Sequence, residues 1–170
     1  MYDFFRAVCA VPKVKVADTD FNLSEIIKKA DEAEKLKPDL VVFGELCLTG
    51  YTCQDLFFQK RLLSAAKEAL LSLAEKSLEY SAAIAVGLPL EIGGRLYNAA
   101  AIIYKGKICG IVPKTYIPNY GEFYEKRWFS SAAELKETSL SSAYFGAKDL
   151  YEIPVGRDLI FRMGDGASFG

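Results

Sequence analysis

The chain has 170 residues, of which 51% are apolar and 25% charged; its 21 basic and 22 acidic side chains leave a formal net charge of −1, and it has no histidine. The missing imidazole excludes Ser-His-Asp and Cys-His catalysis from within the chain, an imidazole metal site and a histidine pH switch, so acid–base chemistry must fall to Glu, Asp, Lys, Tyr or Cys. Near-neutral charge without a long basic run excludes electrostatic capture of nucleic acid or anionic lipid, and the longest uncharged stretch, Tyr80 to Leu90, is too short to span a bilayer.

Phe4 to Val11 is an apolar run that predicts a strand ending at Pro12. Asn22 followed by Glu25 has the spacing of a capping box. Leu23, Ile26, Ile27, Ala30 and Ala33 then mark one apolar helical face, with charges opposite. Pro38 stops that helix. Leu40 to Phe43 is continuously apolar, as a strand buried on both faces would be. Strand, helix and strand in this order predict two parallel neighbours. The unit repeats: Ser64 to Tyr80 predicts a second helix, with Ala66, Ala69, Leu70, Leu73 and Ala74 on one side, and Ala82 to Leu88 a buried strand.

Gly93-Gly94 is a hairpin turn signal, followed by a strand at Leu96 to Tyr104. Lys105-Gly106-Lys107 turns into another strand at Ile108 to Val112. Two βαβ units followed by antiparallel additions predict a layered α/β fold with a mixed sheet. Lys114 to Asp158 is weakly periodic and rich in aromatics (Tyr116, Tyr120, Phe123, Tyr124, Trp128 and Phe129 within 14 residues), and so long a segment between strands is expected to be functional. Leu159 to Met163 predicts a further strand and Gly164-Asp165-Gly166 a turn. A last strand is expected to begin at Ala167 and to break off at Gly170.

Two charged residues stand directly after apolar strands, where open α/β sheets bind ligands. Glu45, after Val41-Val42-Phe43-Gly44, would be partly desolvated and able to act as a general base, or it is a surface carboxylate at a strand end. Lys114, after Val112-Pro113, is either a fixed cation for a developing oxyanion or a solvated loop lysine. The aromatic run after Lys114 either lines a substrate site or forms a satellite hydrophobic cluster beneath its loop. Cys9 and Cys109 fall in strand runs and are expected in the core, whereas Cys47 and Cys53 follow Glu45 and are alternative nucleophiles. The cysteines show no CxxC and no zinc spacing, and Asp3 and Arg6 interrupt the apolar opening, which is not a signal-peptide pattern. Reduced thiols in the cytoplasm are therefore expected.

Phe43-Gly44-Glu45-Leu46-Cys47-Leu48-Thr49-Gly50-Tyr51 followed by Asp55-Leu56-Phe57 resembles the first catalytic block of the nitrilase, or carbon–nitrogen hydrolase, superfamily. Lys114-Thr115-Tyr116-Ile117-Pro118-Asn119-Tyr120-Gly121-Glu122-Phe123-Tyr124-Glu125 resembles the second, and Asn98-Ala99-Ala100 fits the strand before it. Within the superfamily, Thr49-Gly50-Tyr51, Pro118-Asn119-Tyr120 and Glu122 to Glu125 are most similar to the N-terminal glutaminase domains of glutamine-dependent NAD+ synthetases. The resemblance covers essentially the whole chain.

The resemblance implies a nitrilase-like α-β-β-α sandwich with mixed sheets, incomplete at the C-terminus, and a Glu–Lys–Cys triad. Glu45 would be the general base, Lys114 the stabiliser of the tetrahedral intermediate and Glu125 the second glutamate of the site. Tyr120 and Phe123 would help hold glutamine, and Tyr51 would stand near the outlet for ammonia. No cysteine of the chain matches the family's nucleophile, which is expected a few residues beyond Gly170, so residues 1–170 are expected to be inactive alone. A synthetase domain of the same polypeptide, absent from this chain, would use ATP and Mg to amidate nicotinic acid adenine dinucleotide; no cofactor or metal site is expected in residues 1–170. Self-association into a homo-oligomer is expected, since a partly closed sandwich exposes apolar faces. Two rivals remain: a free-standing carbon–nitrogen hydrolase such as an omega-amidase or nitrilase, and a non-catalytic binding or assembly module. The last predicts that Glu45 and Lys114 point apart.

Overall fold

A computed structural model describes residues 4–164 and 166–170. Its centre is a five-stranded sheet in the order β1-β2-β3-β4-β5, formed by Ala7–Ala10, Leu40–Phe43, Ala83–Ile92, Arg95–Tyr104 and Lys107–Pro113. The first three strands are mutually parallel, because each pair is joined by a helical crossover: α1 (Thr19–Glu34) between β1 and β2, α2 (Lys60–Lys76) between β2 and β3. The Gly93-Gly94 and Lys105-Gly106 turns, all at positive φ, reverse the chain tightly and make β3–β4 and β4–β5 antiparallel.

One face of the sheet carries the core. Ile84, Val86, Leu88, Leu90 and Ile92 alternate along β3 onto that face and are all at most 2% exposed. Val41 and Phe43 of β2 join them with Tyr97, Ala99, Ala101 and Ile103 of β4. Ile26, Ala30 and Ala33 of α1 and Ala69, Leu70 and Leu73 of α2 close over the top. Each Leu or Ile so buried contributes roughly 1.5–3 kcal/mol by removal from water.

The other face carries smaller residues, with Val42, Ala85, Ala100 and Val112 only half-buried. At one end it is covered by a two-stranded ribbon, β8 (Phe161–Arg162) and β9 (Ser168–Phe169), whose phenylalanine rings stack at 5.4 Å. Gly110 makes this possible: a Cβ there would lie 2.7 Å from the Phe161 ring. A second ribbon, β6 (Ser139–Ser141) with β7 (Glu152–Pro154), lies outside β5 and touches it through the Ile111–Val155 bridge.

The mixed α/β sheet and the parallel β1–β2 pair match the sequence reading; several boundaries do not. The first strand spans four residues rather than eight. The first helix is capped by Asp18, whose side chain accepts from the Phe21 N–H; Asn22 is instead fully buried inside it and grips Lys15 and Leu48. The second helix starts at Lys60, and its predicted last turn is a separate 3-10 turn at Ser77–Glu79. The stretch after Lys114 is less irregular than expected, containing three 3-10 turns and the β6–β7 ribbon. Cys9 is exposed and Cys109 only half-buried, because both lie on the sparsely covered side of the sheet, not in the core. The described residues supply one helical layer, one full sheet and a two-stranded ribbon toward the second sheet of the expected sandwich. The expected Gly164-Asp165-Gly166 turn falls partly outside the described residues.

Candidate active site

After β2 the chain turns sharply through Gly44, Glu45 and Leu46, the last with φ of +51°. This turn lies directly on β3. A Cβ on Gly87 would sit 2.4 Å from the Leu46 nitrogen and 2.8 Å from the Gly44 oxygen, so only glycine permits the approach. The Leu48 N–H donates to the Gly87 carbonyl at 3.2 Å and locks it. Glu45 is thereby fixed at the carboxyl end of β2, facing the open side of the sheet.

Two strands aim partners at it. Asn98 of β4, 3% exposed, donates its side-chain amide to Glu45 Oε1. Its carbonyl accepts the Lys114 N–H at 2.8 Å, so the residue after β5 is held beside it. Lys114 Nζ then lies 2.6 Å from Glu45 Oε1. The loop after Lys114 returns as a 3-10 turn at Glu125–Arg127, pinned by the Glu125 N–H on the Pro118 carbonyl. Glu125 is 2% exposed, and both its carboxylate oxygens are 3.1 Å from Lys114 Nζ. Its Oε1 also accepts from the Tyr51 hydroxyl at 2.7 Å. Tyr51 opens a kinked 3-10 segment, Tyr51–Phe58, that follows the positive-φ Gly50.

The electrostatics follow from this packing. Burial by itself disfavours the Lys114 charge, but the carboxylates of Glu45 and Glu125 overcome it, and the net effect holds its pKa above the ordinary lysine value. Desolvation and the carboxylate of Glu125 push the Tyr51 phenol up, so it remains a hydrogen-bond donor. The Glu45 side chain is 42% exposed, more open than the expectation of a desolvated carboxylate, because no described element stands over it. A cavity of about 340 Å³ lies beside the group, lined by Glu45, Asn98 and Lys114 with Ala85, Ala100 and Val112. This arrangement can hold a proton acceptor and a fixed cation next to one reacting atom. Among the described residues, no group of three or more cysteines and carboxylates is placed to hold a metal ion.

The structure thus brings together Glu45, Lys114, Glu125 and Tyr51. It does not bring Tyr120 and Phe123 into that contact. Tyr120 is 72% exposed and lines an adjoining cavity of about 540 Å³ that also reaches Lys114; the Phe123 ring meets the Tyr120 ring edge-on at 5.9 Å. The prediction that Glu45 and Lys114 point apart is not met. Nor are Cys47 and Cys53, the alternative nucleophiles, placed at the Glu45 cavity; both are buried. Burial pushes the Cys47 pKa up to about 11 although its thiol faces the Gly87 carbonyl, and burial likewise raises that of Cys53, whose thiol lies on the Thr49 carbonyl. None of the four cysteines lines the Glu45 cavity.

Two parts of the site were missed from sequence. Asn98 enters the resemblance only as a strand residue; a lone amide in an Ala/Ile run was the available signal. The other is Asp55, on the Tyr51 segment, whose carboxylate accepts from Arg127 Nε and Nη2 at 2.7 and 2.8 Å and from Trp128 Nε1 at 2.9 Å. The partners are more than 70 residues apart, and nothing local announces them.

Residues 7–167 match the family model described as carbon-nitrogen hydrolase. The glutamine-dependent NAD(+) synthetase of Mycobacterium tuberculosis (strain H37Rv) is 32% identical over 164 residues, which is 96% of this chain and 23% of that protein. The enzyme of the same name from Aquifex aeolicus is 36% identical over 70% of this chain and 21% of its own length. The chain therefore spans under a quarter of these relatives. Among solved structures, a glutamine-dependent NAD(+) synthetase from Cytophaga hutchinsonii superposes with a TM-score of 0.80 at 27% identity, over 95% of this chain and 26% of that one. With the family model matched over nearly its whole length, the chain belongs to the carbon-nitrogen hydrolase family.

Proposed function

We propose that this chain is the glutaminase module of an NAD+ synthetase, releasing ammonia from glutamine through a Glu–Lys–Cys centre. The observation that carries the reading is Lys114 Nζ clamped between Glu45 at 2.6 Å and both oxygens of Glu125 at 3.1 Å, at the mouth of a cavity. The relatives named above support glutamine as the nitrogen source.

In this reading the nucleophilic thiol comes from a segment outside residues 1–170 and faces Glu45 across the open cavity. The Glu45 carboxylate takes the thiol proton, and the thiolate attacks the amide carbon. The carbonyl electron pair moves onto oxygen, beside Lys114 Nζ, where a fixed cation stabilises it. The intermediate collapses, and Glu45 passes its proton to the departing nitrogen, which leaves as ammonia. Water, deprotonated by Glu45, then attacks the thioester; glutamate leaves and the thiolate is restored. Glu125 keeps Lys114 charged and aimed, and Tyr51 fixes the Glu125 carboxylate. No histidine is needed.

Amidation with ATP and magnesium would occur in a synthetase domain of the same polypeptide. The site here offers one lysine between two carboxylates and no glycine loop, a poor fit for triphosphate, so no step is routed through the nucleotide. The reading also places the protein in the cytoplasm, as a homo-oligomer.

The test is glutamate release from glutamine by the complete polypeptide carrying this chain. Glu45→Gln and Lys114→Met are each expected to lower kcat by at least a hundredfold, in the range of lost charge-stabilising groups. Residues 1–170 alone are expected to release none. Full activity in Glu45→Gln, or turnover by the 170-residue chain, would overturn the reading.

A further inference from the structure

The 3-10 segment Tyr51–Phe58 and the turn Glu125–Arg127 are joined twice. At the buried end, Tyr51 holds the Glu125 carboxylate. At the surface end, Asp55 accepts three hydrogen bonds, two from Arg127 and one from Trp128. Between them, the Phe57 ring packs on Trp128 and Phe129 at 5.8 and 4.9 Å. With the aromatic packing and the Glu125 N–H on the Pro118 carbonyl, these two polar attachments, separated along both segments, restrain the rotation of the turn.

The surface attachment is linked to Glu125 through the backbone. The Trp128 and Phe129 N–H groups both donate to the Glu125 carbonyl at 2.9 Å. A displacement of Trp128 therefore moves the Glu125 peptide, and with it the carboxylate that holds Lys114. Asp55, Arg127 and Trp128 do not line the Glu45 cavity, so none of them can touch a substrate there. As an exposed pair, with side chains 59% and 56% exposed, Asp55 and Arg127 add little to folding stability. Their bidentate geometry, with the indole as third donor, instead fixes orientation.

We propose that the Asp55–Arg127–Trp128 clasp is a positioning device for the site, setting the place of Glu125 and through it the aim of the Lys114 ammonium. This rests on the glutaminase reading. Asp55, Arg127 and Trp128 are positioning residues, not catalytic ones. Misplacing the cation by a fraction of an ångström weakens oxyanion stabilisation without removing substrate contacts.

The experiment uses the complete polypeptide. Asp55→Asn is expected to lower kcat for glutamate release roughly ten- to a hundredfold, with KM within about twofold and little change in Tm. Arg127→Lys, which loses the bidentate fork, is expected to act in the same direction, and Asp55→Arg combined with Arg127→Asp to recover part of the loss. In the Glu125→Gln background, adding Asp55→Asn is expected to cost nothing more, since the clasp acts through Glu125. Trp128 is the only tryptophan of the 170 residues. In the complete polypeptide, the part of the fluorescence that is lost on Trp128→Phe is expected to be quenched more by acrylamide after Asp55→Asn, a readout independent of activity. Unchanged kcat in Asp55→Asn, a full additional loss in the Glu125→Gln background, or unchanged quenching would each overturn the proposal. If the unaltered polypeptide releases no glutamate, the glutaminase reading itself fails; if it does and Asp55→Asn matches it, only the clasp fails.

Discussion

Lys114 is the residue on which the site turns. Its three ammonium protons are taken by one oxygen of Glu45 and two of Glu125, and its charge is held above the ordinary lysine range. The sign of the linkage follows. A raised folded pKa means that the pairing stabilises the fold fully below the unfolded lysine value, about 10.4, and is lost as pH rises through the higher folded one. Lys114→Met is therefore expected to lower stability at pH 7 by about 1–3 kcal/mol, the cost of stranding a buried Glu125 reduced by the partial exposure of Lys114 and Glu45. The deficit should shrink in urea melts above pH 10.5; a deficit that persists there would show that packing and not charge is responsible. Legibility at this scale was uneven. Glu45 and Lys114 announced themselves by following apolar strands. Glu125 was carried by the motif alone, because a buried glutamate on an irregular turn has no periodic signature. Asp55 could not be given a role, because its partners, Arg127 and Trp128, lie just past the other block, more than 70 residues away.

At the scale of elements, the Glu45 turn depends on one glycine of a different strand. Gly87 stands in the middle of β3, where glycine weakens a strand, yet a methyl group would collide with the backbone of Gly44 and Leu46. Backbone cannot swing aside as a side chain can. Gly87→Ala is expected to cost about 1–3 kcal/mol in Tm-derived stability and, on the proposed glutaminase reading, to reduce glutamate release by the complete polypeptide more than stability, since the turn that shifts carries Glu45. Equal losses in both would show that the strand, not the turn, had failed. Asn22 makes a second link of this kind. Its fully buried amide joins α1 to Lys15 and to Leu48 just after the Glu45 turn. Removing it strands three backbone groups, so Asn22→Ala is expected to lower stability by about 1–3 kcal/mol, read by urea unfolding. In sequence, Asn22 and Glu25 have the spacing of a helix cap, but Asp18 takes that role. Local spacing identifies which residues can cap; tertiary contact decides which one does.

For the whole molecule, strand order was legible because crossover helices force parallel pairing and tight glycine turns force antiparallel pairing. The ribbons β6–β7 and β8–β9 were not, or only in part, because strands of two or three residues exist through contacts distant in sequence. The two faces of the sheet are unequal in a way that bears on function. The helix side is closed by α1 and α2. The other side holds Val42, Ala85, Ala100 and Val112 half-buried; among the described residues the β8–β9 ribbon covers one end, and Glu45 stands at the other. Phe4 at 89% exposure, Ile160 at 77% and Tyr104 at 39% leave further apolar surface open. Such surface drives association unless another layer covers it. Residues 1–170 alone are therefore expected to bind an environment-sensitive apolar dye and to sediment as a concentration-dependent mixture of oligomers. Val42→Lys or Ala100→Lys, placed on the open face away from the helices, should shift that mixture toward monomer with little change in far-UV circular dichroism. A monodisperse monomer that binds no dye would mean that the open face needs no cover, and that the proposed thiol would have to reach Glu45 some other way.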